Sequence, residues 1–266
     1  HTSEKAKIMK TSRPKFNKAI SALILTLLLA ACGGESPESL IASSKAYMAK
    51  NDTKAAVIQL KNALQQNPTL AEARFLLGSA LLETGDIAGA EVELRKALEL
   101  KHPADEVVPL LARTLLAGGK AKKLLEEFGK TKLTAGEPLA AMNTTLAAAN
   151  ASLGKREVAK ELLAEALATQ PDYVPARLAD IREAASSQDM TGARSKIDAL
   201  LLKHPSNPEA LLIKGSLLSF AGDASGALVE YRKAIDAKPS YLAAHSAAIT
   251  SLLAANKVDD AVKQLE

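Results

Sequence analysis

The sequence predicts an all-α solenoid of stacked helix-turn-helix units, on three observations. The apolar content is high, at 47% of 266 residues, and is mostly Ala and Leu, residues that favour helix. Aromatic residues make up only 3%, with no Trp, four Phe and four Tyr, and β-branched residues are few, so sheet is disfavoured. Proline and glycine recur in register at one period: Pro171, Pro205 and Pro239 are 34 residues apart, and Pro138, Pro103 and Pro68 lie near the earlier positions. The apolar fraction excludes a disordered chain. A single Cys excludes an intrachain disulfide scaffold.

The elements follow in order. A first unit, 37–70, places Leu40, Ser44 and Tyr47 on one helix and Ala56, Leu60 and Ala63 on the next, closed by Pro68. The second, 71–104, has Leu77-Gly78 and Leu81, then Ala90, Leu94 and Ala97, closed by Pro103. The third, 105–139, is the most degenerate: Leu111-Ala112 and Leu115 are followed by Leu124 and Phe128, the small second-helix residue is missing, and one residue is inserted. The fourth, 140–173, has Leu146, Ala147, Ala159, Leu163, Ala166 and Pro171. In the fifth, 174–207, Asp180-Ile181 replaces Leu-Gly, while Ala193, Ile197 and Pro205 remain. The sixth, 208–241, has Leu211, Gly215 and Leu218, then Ala227, Tyr231, Ala234 and Pro239. A partial seventh, 242–266, has Leu252, Ala261 and Leu265.

One packing problem explains the recurrence. Gly or Ala on the first helix lets the second approach closely, and larger residues a turn away fill the gap. Gly85, Gly119, Gly154 and Gly222 fall at the turn within each pair, where positive φ is expected. Asn51 and Asn256 take that place in the first and seventh units. Proline stops the second helix. Each hairpin leaves an apolar face that a neighbour must bury, which makes the array a superhelix. A 34-residue period with W-x2-L-G-x2-Y, A-x3-F and P is the tetratricopeptide pattern. The chain resembles that family over nearly all of 37–266, which implies a right-handed α-solenoid of about seven repeats with the last one truncated.

The first 31 residues have a different character. Lys10, Arg13, Lys15 and Lys18 precede the 13-residue uncharged run Ala19 to Ala31. A helix of that length spans about 20 Å, short of a bilayer core of about 30 Å. A positive segment, a short apolar segment and small residues at its end describe an export signal over 9–31. Met9 is the expected start, so 1–8 is set aside as leader. Leu29-Ala30-Ala31-Cys32 resembles the bacterial lipobox. That resemblance implies cleavage between Ala31 and Cys32 and lipidation of Cys32, with 32–36 as a short linker. A plain export signal with a bystander thiol is the other reading. Two or more acyl chains give stable anchoring. Gly33 after the Cys, by analogy with lipoprotein sorting, implies the outer membrane of a diderm envelope, facing the periplasm.

Charge sharpens the picture. The whole chain carries +4, yet residues 1–31 hold six of its 34 bases and one of its 30 acids. The remainder, with 28 bases and 29 acids, is near neutral. The basic balance therefore belongs to the export signal and gives no support to nucleic-acid binding.

No phosphate loop, G-x-S-x-G elbow or H-E-x-x-H helix is present, so neither enzyme activity, cofactor nor metal is expected. His102 and His204 precede prolines at second-helix ends, where helix capping is the expected role. His245 is read as surface or packing. Binding is left to the groove. The tetratricopeptide resemblance implies a concave wall of first helices. Carried over residue by residue, its positions are Ile41 and Lys45, Phe75 and Leu82, Arg113 and Leu116, Leu178 and Arg182, Leu212 and Phe220. Each either faces a protein partner or packs between repeats. The clamp that co-chaperone relatives use for a terminal carboxylate is absent, since Ile41, Phe75 and Pro109 stand where it would begin with Lys.

The stretches AAVIQLKNALQQNP, AEARFLLGSALLETGDIAGAEVELRKALEL and HPADEVVPLLARTLLAGGKAKKLLEEF, behind the lipobox, resemble the tetratricopeptide lipoproteins of the PEP-CTERM/exosortase system. This resemblance is best over 9–130. It implies a membrane-anchored scaffold for exopolysaccharide export or PEP-CTERM protein sorting, and a longer protein of which this is an N-terminal part. Two alternatives remain open: an assembly lipoprotein for outer-membrane proteins or pili, and the repeat region of a larger enzyme such as a glycosyltransferase.

Overall fold

The computed structural model describes residues 35–263. Ala31, Cys32, Leu265 and the whole of 1–31 lie outside the described residues. Fourteen helices and no strand are found among the described residues. They run α1 (Pro37–Ala49), α2 (Thr53–Gln66), α3 (Ala71–Glu83), α4 (Ile87–Glu99), α5 (Ala104–Ala117), α6 (Ala121–Phe128), α7 (Glu137–Ser152), α8 (Arg156–Thr169), α9 (Val174–Ser186), α10 (Met190–Lys203), α11 (Pro208–Phe220), α12 (Ala224–Ala237), α13 (Leu242–Ala254) and α14 (Val258–Lys263). Odd-numbered helices open the hairpins and even-numbered helices close them.

The seven hairpin turns are nearly superimposable in their bonding. In each, one residue adopts positive φ: Asn51, Gly85, Gly119, Gly154, Gln188, Gly222 and Asn256. The next residue donates its N–H to the carbonyl five positions back, at 2.9–3.0 Å, from Asp52 to Tyr47 through Lys257 to Leu252. Where that residue is Asp, as at 52, 86, 189 and 223, its carboxylate also caps the closing helix. Glycine and asparagine were expected at these turns. Gln188, at φ 65°, was not, and a side chain there costs about 1 kcal/mol.

Small residues on the opening helices set the approach distance. A Cβ on Gly78 would lie 2.6 Å from Leu94 Cγ, and one on Gly215 2.4 Å from Tyr231 Cε1. Prolines follow α2, α4, α8, α10 and α12. Pro138 departs from the expected pattern: it lies in the first turn of α7, where its fixed φ suits helix entry. As a result α7 opens at Glu137, upstream of the 139/140 division. The carbonyls of Pro68, Pro171 and Pro239 accept hydrogen bonds from Arg74, Arg177 and His245, which gives His245 a packing role.

The largest core cluster joins the second, third and fourth hairpins through Leu94, Val107, Leu111, Leu115, Leu124, Phe128 and Met142. Closing helix α6 has only eight residues. Residues 129–136 complete the third unit, with Leu133 packed on this cluster. Thr134 donates through its N–H and its hydroxyl to Asp105, which holds that carboxyl below its ordinary pKa. The joint between the fourth and fifth hairpins is thinner: Ala176 packs on Ala140 and Ala166, and half-buried Ala179 packs on Ala147, Ala159 and Leu163.

An ion network ties the second hairpin to the third. Glu91, whose side chain is 12% exposed, accepts from Lys120 at 2.6 Å, Arg95 at 3.0 Å and Lys123 at 3.3 Å. The hydrogen bond from Lys120, joined by those from Arg95 and Lys123, outweighs burial and brings its pKa from 4.5 down to about 2. The unfolded chain therefore binds this proton more readily. The stabilisation is complete above pH 4.5 and lost as pH falls from 4.5 towards 2. Glu91→Gln is expected to cost about 2 kcal/mol at neutral pH, less than full linkage because the lysine ends are half exposed. In urea melts, the gap between parent and variant should close on acidification through that window. A gap that is constant with pH would contradict the assignment.

Candidate groove on the opening helices

From α3 to α13 consecutive opening helices touch one another, whereas consecutive closing helices make no comparable contact among the described residues. The opening helices are thus the inner, tighter side of the curve, and their outward residues line its concave wall.

Two cavities lie on this wall. One, of about 420 Å³, is lined by Phe75 and Ser79 of α3, Asp105, Glu106, Pro109, Leu110 and Arg113 of α5, Glu137, Pro138, Ala141 and Thr145 of α7, and Tyr173. The other, of about 340 Å³, has an alanine-rich floor between α7, α8 and α9, including Ala148, Ala151 and Ala179, with Arg182, Glu183 and Ser186 at its edge.

The sequence-derived groove residues divide on this wall. Phe75 and Arg113 share the larger cavity, and Arg182 edges the smaller one. Lys45 is exposed and pairs with Glu72, and Arg182 pairs with Glu209. Leu82, Leu116 and Leu212 are half-buried against core clusters. Phe220 is 75% exposed at the end of α11. Ile41 and Leu178 are corrected: they are 7% and 3% exposed. Each lies one turn before its neighbouring base and turns into the core, Ile41 in the cluster of Leu60 and Leu77, Leu178 in that of Ile181 and Ile197. Neither side chain is available to a partner.

Phe75 stacks on the His102 ring, centroids 4.5 Å apart, and His102 Nε2 lies 3.0 Å from Glu106 Oε2. The ring thus braces the cavity wall. Tyr173 closes the far side. Burial raises its phenol pKa, Glu137 adds to the rise and Arg113 opposes it. Two repeats on, Tyr241 has the same surroundings: burial raises its pKa, with Glu209 adding and Arg182 opposing. Tyr173 and Ala141 were missed from the sequence. The signal for both was the register of the repeats themselves, which places them opposite Arg113. Among the described residues no group of three His, Cys, Asp or Glu side chains is placed to hold a metal. Every buried side-chain nitrogen and oxygen among them has a hydrogen-bond partner.

Tetratricopeptide repeat models match residues 47–114 and 178–242, together half of the chain. No curated protein sequence matches. Among solved structures, a tetratricopeptide repeat protein from Parabacteroides merdae aligns with TM-score 0.58 and 16% identity, covering 87% of this chain and 91% of that one. PilW, described as a widely conserved type IV pilus biogenesis factor, aligns at 0.61 and 17%, covering 80% and 99%. Pseudomonas aeruginosa pilF aligns at 0.55 and 19%, covering 79% and 95%. At these identities the likeness establishes the fold. With the helix-turn-helix period, the seven repeated turns and the matching family models, the chain belongs to the tetratricopeptide repeat family.

Proposed function

We propose that this protein is a membrane-anchored scaffold that binds protein partners on its opening-helix wall. The observation that carries the reading is the pair of cavities along that wall, part apolar and part charged. Such surfaces suit an extended segment or helix of a partner. Lipid on Cys32 would hold the scaffold to the envelope of a diderm bacterium, with Gly33 favouring the outer membrane. The resemblance behind the lipobox points to exopolysaccharide export or PEP-CTERM protein sorting as the system served. Assembly of pili is the second reading, favoured by the fold shared with PilW and pilF. A catalytic domain outside this sequence is the third.

Affinity recovery after crosslinking in the native envelope tests the proposal. Export or exosortase components should be recovered with the parent, and less with Arg113→Glu at unchanged helicity. Cys32→Ser should abolish palmitate labelling. Recovery of pilus or barrel-assembly proteins alone would overturn the assigned system, and equal labelling of Cys32→Ser would overturn the anchor.

A further inference from the structure

The concave wall carries an alternation with a period of two repeats. One register position of the opening helices, the one after Ser44, Gly78, Ala112, Ala147, Ile181 and Gly215, holds Lys45, Ser79, Arg113, Ala148, Arg182 and Ser216 in the first six hairpins. A base thus alternates with a small residue. Each base faces the start of the next opening helix. There, six residues before Gly78 and Gly215, stand Glu72 and Glu209. Glu72 pairs with Lys45, and Glu209 with Arg182. Six residues before Ala147, the equivalent place in α7, stands Ala141.

Arg113 is therefore the member of the series whose acid is missing, and it has no ion pair among the described residues. Glu137, a turn upstream of Ala141, influences Tyr173 along with Arg113 but does not close on the guanidinium as Glu209 closes on Arg182. The other acids of the cavity already have donors: Asp105 from Thr134, and Glu106 from His102. Arg113 and Ala141 line the same 420 Å³ cavity, whose apolar walls are Phe75, Pro109 and Tyr173. A guanidinium presents a rigid fork of donors that matches one carboxylate.

We propose that this cavity takes an acidic side chain from an extended segment of a partner protein. Its carboxylate occupies on Arg113 the place that Glu72 and Glu209 fill beside the other two bases. An adjacent apolar side chain of the same segment rests against Phe75 and Tyr173. The inference rests on the reading of this wall as the binding face, and it narrows the partner to a segment with an acid beside an apolar residue.

The test uses short fluorescein-labelled peptides in an alanine–serine background. Each carries a leucine or phenylalanine next to a glutamate, a glutamine or a lysine. The glutamate peptides should bind the parent about tenfold more tightly than the glutamine peptides, as expected for a charge-assisted pair. Arg113→Gln should remove the preference. Ala141→Glu should remove it too, by supplying the missing acid from within the chain, with the melting temperature kept or raised. Equal binding of glutamate and glutamine peptides, a preference for lysine, or a preference that survives both substitutions would overturn the proposal. So would a parent dimer, seen by light scattering, that Ala141→Glu turns into monomer, since the cavity would then belong to a second copy. Recovery of native partners by the Ala141→Glu protein, with no peptide preference in the parent, would sink this inference alone and leave the scaffold reading standing.

Discussion

Leu111→Ala is expected to lower stability by about 2–5 kcal/mol, the range for emptying a fully buried leucine site. Leu111 is wholly buried and sits in the largest core cluster among the described residues, which joins three hairpins, with Val107, Leu115, Leu124 and Met142. The site has little means of collapsing, because α6 is short and the segment that completes the unit is pinned at Thr134 to Asp105. In a solenoid each repeat contacts only its neighbours, so the loss should appear first as local uncoupling. Urea unfolding should show an earlier, broader transition, and amide exchange should rise in α5 to α7 before the terminal hairpins follow. A loss below about 1 kcal/mol, or exchange rising equally along the chain, would contradict this account of the core.

Gly215→Val is expected to cost about 2–3 kcal/mol by overpacking, despite the better helix propensity of valine. The added Cβ would meet the Tyr231 ring at 2.4 Å and the Ala227 carbonyl oxygen at 3.1 Å. The ring is buried and held between helices, among Ala227, Ala248 and Ile235. Trimming the ring should therefore restore room. In a double-mutant cycle, Gly215→Val should cost much less on a Tyr231→Ala background than alone. Additive costs would show that the glycine serves some purpose other than close approach.

The repeated parts of this fold were legible because one physical problem recurs seven times. Close approach demands Gly78 and Gly215, the turn demands Gly85 or Asn51, and the stop demands Pro68 or Pro205. The exceptions were hidden. Gln188 takes a glycine's place at φ 65°, in a turn with the same Asp cap and back-bond as the turns at Gly85 and Gly222, and nothing in the structure explains the exchange. Pro138 opens a helix instead of following one. On the wall, the bases Lys45, Arg113 and Arg182 were read directly from register. Ile41 and Leu178 were misplaced because a residue one helical turn from the groove can face it or face the next hairpin. At the same register Phe75 does line the cavity, so sequence alone does not separate the two outcomes. Tyr173 and Ala141 come from different repeats than Arg113, and their meeting is a property of how hairpins stack.

The central claim is that partners bind the opening-helix wall, and site-specific photo-crosslinking in the native envelope tests it most directly. A benzophenone amino acid at Ala148, which lines the second cavity, should capture a partner. The same group at Val229, exposed on closing helix α12, should capture none. Capture from Val229 with none from Ala148 would contradict the account.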